Sequence, residues 1–139
     1  VIICFEDVVP HLARRAATPE VDFLLNLTND GWFGKSHQQW QHARSAAWRA
    51  IETRRPLVRC TNNGITCWVD EYGRFHGVKA PVHSLRVNVV TIPLREGPRV
   101  PTIYQRTGDW FPWGAVLACA VLIFLRRKNG SASGALPVK

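Results

Sequence analysis

Cys4, at the end of the apolar run Val1-Ile2-Ile3, is the side chain whose type and place in the chain best suit chemistry. A thiol at the C-terminal end of a buried strand, entering a turn before a helix, stands where an α/β fold presents a nucleophile. With an ordinary pKa of about 8.5 it is mostly protonated at neutral pH, so attack on an ester requires a neighbouring base or positive charge. Taken by itself such a residue is more often a small buried apolar side chain, the commonest role of a free cysteine. Cys60, Cys67 and Cys119 form no C-x-x-C pair with it or each other, and the five histidines lack metal-ligand spacing. Neither a metal nor any other cofactor is expected.

Such a nucleophile needs strands and helices to hold it. Pro10 to Ala17 reads as a short helix with proline in its first turn, and Thr18-Pro19 ends it. Val21 to Leu27 is strand-like and leads into the polar loop Thr28 to Gly34. Ser36 and Gln39 have capping-box spacing, and Trp40, Ala43, Ala47, Ala50 and Ile51 recur at helical intervals. Pro56 excludes Arg55 from helical geometry, so the spacing predicts a helix over residues 37–54. Leu57 to Cys60 is the next strand. The order strand, helix, strand, helix, strand makes two βαβ units and a parallel sheet.

Beyond this point hairpins are expected. Asn63-Gly64 signals a type I′ turn between Val58–Asn62 and Ile65–Val69, Tyr72-Gly73 a second turn before Arg74–Val78, and Leu85 to Ile92 a last strand. Counting outward from Asn63-Gly64 puts Cys60 opposite Cys67 on one face. That placement invites a disulfide, although a ladder-bonded pair has less suitable geometry than a non-bonded one.

Residues 110–125 carry no charge over 16 positions, with Trp110 and Trp113 at one end and Arg126-Arg127-Lys128 at the other. The run is short of the roughly 20 residues usual for a transmembrane helix. Its flanks supply what length does not: aromatic residues suit one interface, and the basic cluster marks the other side as cytoplasmic. A buried core helix would not explain those flanks. The segment from Asn129 to Lys139, rich in Gly, Ser and Ala, is expected to be disordered. The formal charge is +8, from 18 basic and 10 acidic residues, 14 of the basic ones being Arg. They are scattered, with no basic stripe and no nucleic-acid-binding motif, so an anionic membrane surface is the expected partner and nucleic acid is not. The chain contains no Met and opens abruptly on a strand, as a piece cut from within a fold would.

The run Val1-Ile2-Ile3-Cys4-Phe5-Glu6-Asp7 resembles the nucleophile strand and elbow of the nitrilase (carbon–nitrogen hydrolase) superfamily, in which Cys-x-Glu follows an apolar strand. Asn26 to Gly34, the helix with Gln41-His42 and Arg49-Ala50-Ile51-Glu52, Arg55 to Thr66, and Tyr104 to Trp110 before an apolar span are similar, in that order, to the bacterial apolipoprotein N-acyltransferases. The similarity covers nearly all of residues 1–125. It implies an α/β fold, part of an αββα sandwich, with residues 1–109 in the catalytic domain, 110–125 crossing the cytoplasmic (inner) membrane and 126–139 a basic cytoplasmic tail. The catalytic domain would lie on the periplasmic or outer face. The implied reaction is ping-pong: a cysteine thioester takes an acyl chain from a phospholipid donor and passes it to the N-terminal amine of a diacylated apolipoprotein.

In the family, Glu acts as general base, Lys stabilises the oxyanion and Cys is the nucleophile. Only the Cys, as Cys4, is matched here, so residues 1–139 alone are expected to be inactive. Glu6 is implied as an auxiliary carboxylate that orients an amine or the catalytic Lys, or as a hydrogen-bond acceptor that steadies the elbow. Phe5 replaces the Tyr common between Cys and Glu, removing a hydroxyl from the oxyanion site but leaving the backbone N–H. Trp32 and Phe33, between Gly31 and Gly34, would form an acyl-chain wall or lid, or pack on the neighbouring helix. Asn29 and Asp30 would bind substrate or cap and turn the chain. Asn62 and Asn63 read as turn residues, His42 as a helix-face polar residue and Glu52 as a partner for arginines. A membrane-tethered amidase using water as acceptor, and a non-catalytic membrane-anchored domain, are the competing readings.

Overall fold

The computed structural model describes residues 1–77, 82–84, 87 and 89–132. Strand β1 (Ile2–Ile3) runs into a 3₁₀ turn (Cys4–Val8) and helix α1 (Pro10–Ala16). Strand β2 (Leu24–Thr28), a 3₁₀ turn (Gly31–Phe33) and helix α2 (Gln38–Thr53) follow, then strands β3 (Leu57–Thr61), β4 (Cys67–Val69) and β5 (Phe75–His76). Helices α3 (Ile103–Thr107) and α4 (Trp110–Ala132) complete the described elements. The five strands form one sheet in sequence order; β1, β2 and β3 are parallel, while β4 and β5 join antiparallel. Two βαβ units followed by hairpins is the arrangement that the alternation of apolar runs and helical periodicity predicts.

Because successive side chains on a strand point to opposite faces, each strand gives alternate residues to the helical layer. Ile2, Leu24, Asn26, Leu57, Arg59, Cys67 and Val69 are all buried. Helix α2 supplies Ala43, Ala46, Ala47 and Ala50, small residues that bring its axis close to the sheet, and α1 supplies Ala13. On the other face Ile3 is 52% exposed and Leu27 41%. One sheet with helices on a single face is half of an αββα sandwich.

The segment before α4 is tied to this body by polar contacts. Arg55, itself buried, donates to the carbonyls of Thr18 and Val21 at 2.7 Å each and of Thr53 at 2.8 Å. Gln105 Nε2 donates to the Ala17 carbonyl at 2.9 Å, and Thr102 Oγ1 to the Glu52 carbonyl at 2.6 Å.

Several local expectations change. Helix α2 starts at Gln38 without a capping box: Ser36 Oγ accepts the Gln38 N–H at 3.3 Å, but the Gln39 amide turns inward and donates to the Gly34 carbonyl. Strand β2 begins at Leu24 rather than Val21, after the chain leaves the Thr18 turn. The β3–β4 connection is longer than a two-residue turn, since Arg59 pairs with Cys67 and Val58 with Trp68. Cys60 is exposed and Cys67 buried, both free, so the register puts them on opposite faces and no disulfide links them. Gly64 does not have the positive φ that a type I′ turn demands. It is glycine for space: a Cβ there would stand 1.9 Å from Asp30 Oδ2. The second hairpin does turn at Gly73, at φ 84°, with Asp70 Oδ1 accepting the N–H groups of Tyr72 and Arg74 at 2.9 Å each.

Val78, Lys79 and part of the strand expected over Leu85 to Ile92 lie outside the described residues, and its described members form no strand. The residues from Thr107 on form a second compact unit. There α4 holds a stretch, Trp110–Lys128, of 19 residues, long and apolar enough to cross a membrane. Its helix continues past Leu125 to Ala132, so residues 129–132, expected to be disordered, extend the helix instead. Pro112 lies in the first turn, where its missing N–H costs nothing, and no other proline interrupts the helix.

Candidate active site

The parallel strands β1, β2 and β3 end at one edge of the sheet, and Cys4 leaves β1 there. Its φ is 50°, a left-handed conformation that side-chain-bearing residues seldom adopt; it costs of order 1–3 kcal/mol and persists only where neighbours hold it. Two side chains do so. Glu6 reaches back and accepts the Ile3 N–H at Oε2, 2.7 Å away. Asn26 Nδ2, from β2, donates to the Cys4 carbonyl at 3.2 Å and lies 3.4 Å from the Ile2 carbonyl. Cys4 itself is half-buried, so the strained residue remains open to a reactant.

Behind the elbow lies a closed set of charges. His42, from α2, places Nε2 at 2.8 Å from Asp7 Oδ1 and Nδ1 at 2.9 Å from Asp30 Oδ1. Arg59, from β3, donates through Nη1 to Asp7 Oδ2 at 2.5 Å and to Asn26 Oδ1 at 2.7 Å, and through Nη2 to Asp30 Oδ2 at 3.1 Å. Asp7, Asn26, Asp30 and Arg59 are 0% exposed and His42 4%. Burial alone would lower the His42 pKa, but its hydrogen bonds to Asp30 and Asp7 prevail and raise it to about 9. Burial opposes ionisation of Asp30 too, yet the hydrogen bond from His42 and the charge of Arg59 hold its carboxyl below the usual range. Two cations and two anions therefore balance. Arg59 Nη2 also stands 2.9 Å from His42 Nδ1. With His42 protonated both atoms are donors, and Asp30 is the acceptor that they share.

The loop after β2 begins on this cluster. Asp30 is anchored in it, and its backbone N–H is accepted by Asn62 Oδ1 at 3.2 Å. Phe33 turns inward, its ring edge-on to His42 at 5.8 Å and to Phe5 at 6.0 Å. Phe5 lies flat on the His42 ring at 4.6 Å. A cleft of about 220 Å³ opens beside these rings, bordered also by Val8, Gln38, Gln41 and Ser45.

Of the expected site residues, Cys4, Glu6 and Phe33 thus gather at the elbow. Trp32 is 80% exposed on the loop, and Asn29 turns its Oδ1 to the Gly31 N–H at 2.9 Å. Glu52 pairs with Arg49 at 2.7 Å. His42 is not a helix-face group but the centre of the buried cluster. Asp7, Asn26 and Arg59 escape a reading of the sequence because each sits at an inward position where a hydrophobic pattern expects an apolar residue. Their available signal was the isolation of Asn26 and Arg59 between apolar neighbours in strands.

Among the described residues no group of three or more His, Cys, Asp or Glu side chains is arranged to hold a metal ion. The site presents a half-buried thiol on an α/β elbow, beside an aromatic-lined cleft and in front of a buried charge cluster. Residues 1–99 match the family described as Carbon-nitrogen hydrolase, and the chain belongs to it. It is similar to the apolipoprotein N-acyltransferase of Geobacter metallireducens, 38% identical over 93% of this chain and 24% of the relative. Similar again are the apolipoprotein N-acyltransferases of Thermotoga maritima, 34% identical over 99% of this chain and 26% of the relative, and of Bradyrhizobium diazoefficiens, 42% identical over 91% and 22%. The chain spans about a quarter of the length of these curated relatives.

Proposed function

We propose that this chain is the nucleophile-bearing part of a membrane N-acyltransferase that acylates the N-terminal amine of diacylated apolipoproteins, with phospholipid as acyl donor. The observation that carries the reading is Cys4, held at φ 50° at the sheet edge with Glu6 closing the elbow. The Cys4 thiolate attacks the ester carbonyl carbon, a C–S bond forms, and the ester C–O bond breaks. The lysophospholipid alkoxide leaves and takes up the proton that the thiol lost. The acceptor amine then attacks the thioester, the C–S bond breaks, and the thiolate returns as the amide nitrogen gives up its proton.

Glu6 serves the elbow first, since its carboxylate is already engaged by the Ile3 N–H. Phe33, exposed Trp32 and Asn29 form the substrate side of the loop, the aromatic pair offering surface to acyl chains. Residues 1–109 belong to the catalytic domain outside the cytoplasmic membrane, 110–125 cross it, and the basic segment from Arg126 lies on the cytoplasmic side.

The test is to incubate the full-length gene product containing this sequence with acyl-labelled phospholipid and no acceptor. Label should accumulate on Cys4 as a thioester cleaved by neutral hydroxylamine, and Cys4→Ala should abolish label and turnover. Label on Cys60, Cys67 or Cys119, or full turnover by Cys4→Ala, would overturn the reading. Release of free fatty acid to water at the same rate with and without acceptor would mark an amidase-like hydrolase instead.

A further inference from the structure

We infer that His42, together with Asp7, Asp30 and Arg59, is a positioning device that couples the Cys4 elbow to the Asp30–Gly34 loop; as a device for acyl transfer it rests on the reading of Cys4 above. Its parts come from four separate places: Asp7 from the turn that carries the nucleophile, Asp30 from the start of the aromatic loop, His42 from α2 and Arg59 from β3. Elbow and loop are distinct in the chain, and each delivers one carboxylate to the same imidazole, at 2.8 Å and 2.9 Å.

Stability alone does not call for this arrangement. Buried ion pairs sacrifice hydration, and well-packed apolar replacements are often as stable or more so. The same sheet face shows that alternative one step away, where Leu24, Leu57 and Val69 are 0–1% exposed. What charges offer and aliphatic side chains do not is fixed direction, because each hydrogen bond holds only in a narrow geometry. The directions converge on the strained residue. Arg59 Nη1 holds Asn26 Oδ1 at 2.7 Å, and the other end of that amide holds the Cys4 carbonyl at 3.2 Å. Arg59 and His42 each take one oxygen of Asp7, three residues after Cys4.

The ring contacts follow the same path. Phe5, directly after the nucleophile, stacks on His42 with planes 17° apart, and Phe33 of the loop meets the same ring at 83°. The imidazole is therefore the shared surface on which the residue beside Cys4 and the loop both rest. Room for Asp30 is built in as well, since any side chain at position 64 would occupy its carboxylate's place. A loop that shifts withdraws Asp30 from His42, and the imbalance falls on Asp7 and so on the elbow.

The experiment compares the full-length gene product with its His42→Phe and Asp30→Asn variants. His42→Phe keeps an aromatic ring beneath Phe5 and Phe33 but cuts both carboxylate links; Asp30→Asn keeps shape and removes one charge. Two quantities are read on folded protein: the alkylation rate of Cys4 by iodoacetamide, and the single-turnover rate of Cys4 thioester formation at saturating labelled phospholipid. A misplacement of about 1 Å costs on the order of 100-fold in rate, so thioester formation should fall at least about tenfold, with the phospholipid concentration for half-saturation within about twofold. Cys4 alkylation should change in both variants. The double variant should lose clearly less than the product of the two single losses, because His42 and Asp30 share one link while Asp30 keeps a second to Arg59.

Wild-type alkylation and thioester rates in folded His42→Phe would overturn the inference, as would losses in the double variant that multiply. If His42→Phe does not fold, Asp30→Asn decides by the same two rates. A wild-type protein that never forms a thioester sinks the acyl-transfer reading, and Cys4 alkylation then decides whether the coupling exists.

Discussion

Two rows of side chains cross the same face of the sheet, two residues apart along each strand, and they are built on opposite principles. Leu24, Leu57 and Val69 are direct partners in one row. Ile2, Asn26, Arg59 and Cys67 are partners in the other, nearer the C-terminal ends of the parallel strands. Both rows are buried under the helical layer. The first is a hydrophobic core in miniature, and its worth lies in area removed from water. The second puts an amide and a guanidinium at its centre, where they gather two carboxylates and an imidazole. The two rows of this face therefore hold different things: one holds the sheet to its helices, and the other gives up part of that adhesion to fix the direction of a few atoms at the Cys4 elbow.

Breaking one member of each row should separate the roles, and these are the largest effects expected. Arg59→Met removes the cation that two buried carboxylates share, and removing one partner of a buried ion pair costs about 3–5 kcal/mol. Leu57→Ala opens a cavity in the apolar row, for about 2–5 kcal/mol. The stabilities can therefore fall alike, measured by denaturant unfolding of the purified protein. The thioester rate per folded molecule should not. It should collapse in Arg59→Met and stay close to wild type in Leu57→Ala at a temperature where both are folded. Equal losses of rate in the two variants would erase the distinction between the rows.

The same division explains what could be read in the sequence. Leu24, Leu57, Val69 and the alanines of α2 advertise themselves through period, and the strands and helices that they build were legible to within a few residues. The elbow was legible because Cys4 ends an apolar strand ahead of a helix, and the Cys-x-Glu resemblance drew Glu6 to it. The polar row was not. In β2, Asn26 points into the helical layer while Leu25 and Leu27 point the other way, so the pattern that marks a half-buried strand gives the wrong face. Gly64 misled for a related reason: beside Asn63 it spells a tight turn, whereas its role is to leave space for a carboxylate more than thirty positions earlier in the chain. Long-range polar pairing leaves no local period.

A gentler perturbation, pH, should act on the polar row and leave the apolar row untouched. The His42 pKa is raised from 6.5 to about 9. Its contribution to stability is therefore fully present below about pH 6.5, declines as pH rises, and is lost through about pH 9. Asp30 has the opposite sense: its pKa is lowered from 3.8, so its contribution is present above that value and lost as pH falls through the lower folded one. The groups facing His42 are Asp7, Asp30 and Arg59, and no apolar-row residue titrates. Thermal unfolding midpoints should then form a plateau between about pH 4 and 6.5 and decline toward pH 9. The alkaline decline should flatten in His42→Phe. An identical decline in that variant would assign it to groups outside the cluster.

The smallest effect, and the one that fixes where the polar row ends, concerns Cys67. Its Cα pairs with Arg59, so it is the next residue along the row, yet its thiol is directed at the Ile65 carbonyl, 3.9 Å away. Burial raises its pKa to about 11 against the opposing pull of the Arg59 charge. At neutral pH such a thiol is a small apolar side chain without thiolate character. Cys67 should therefore resist iodoacetamide in the folded protein at about pH 7.5, while exposed Cys60 reacts. Cys67→Val, a swap of similar volume, should cost less than about 1.5 kcal/mol and leave the Cys4 thioester rate within about twofold. A large loss of that rate with unchanged stability would carry the positioning row one strand further, into β4, and make Cys67 part of the support on which Arg59 depends.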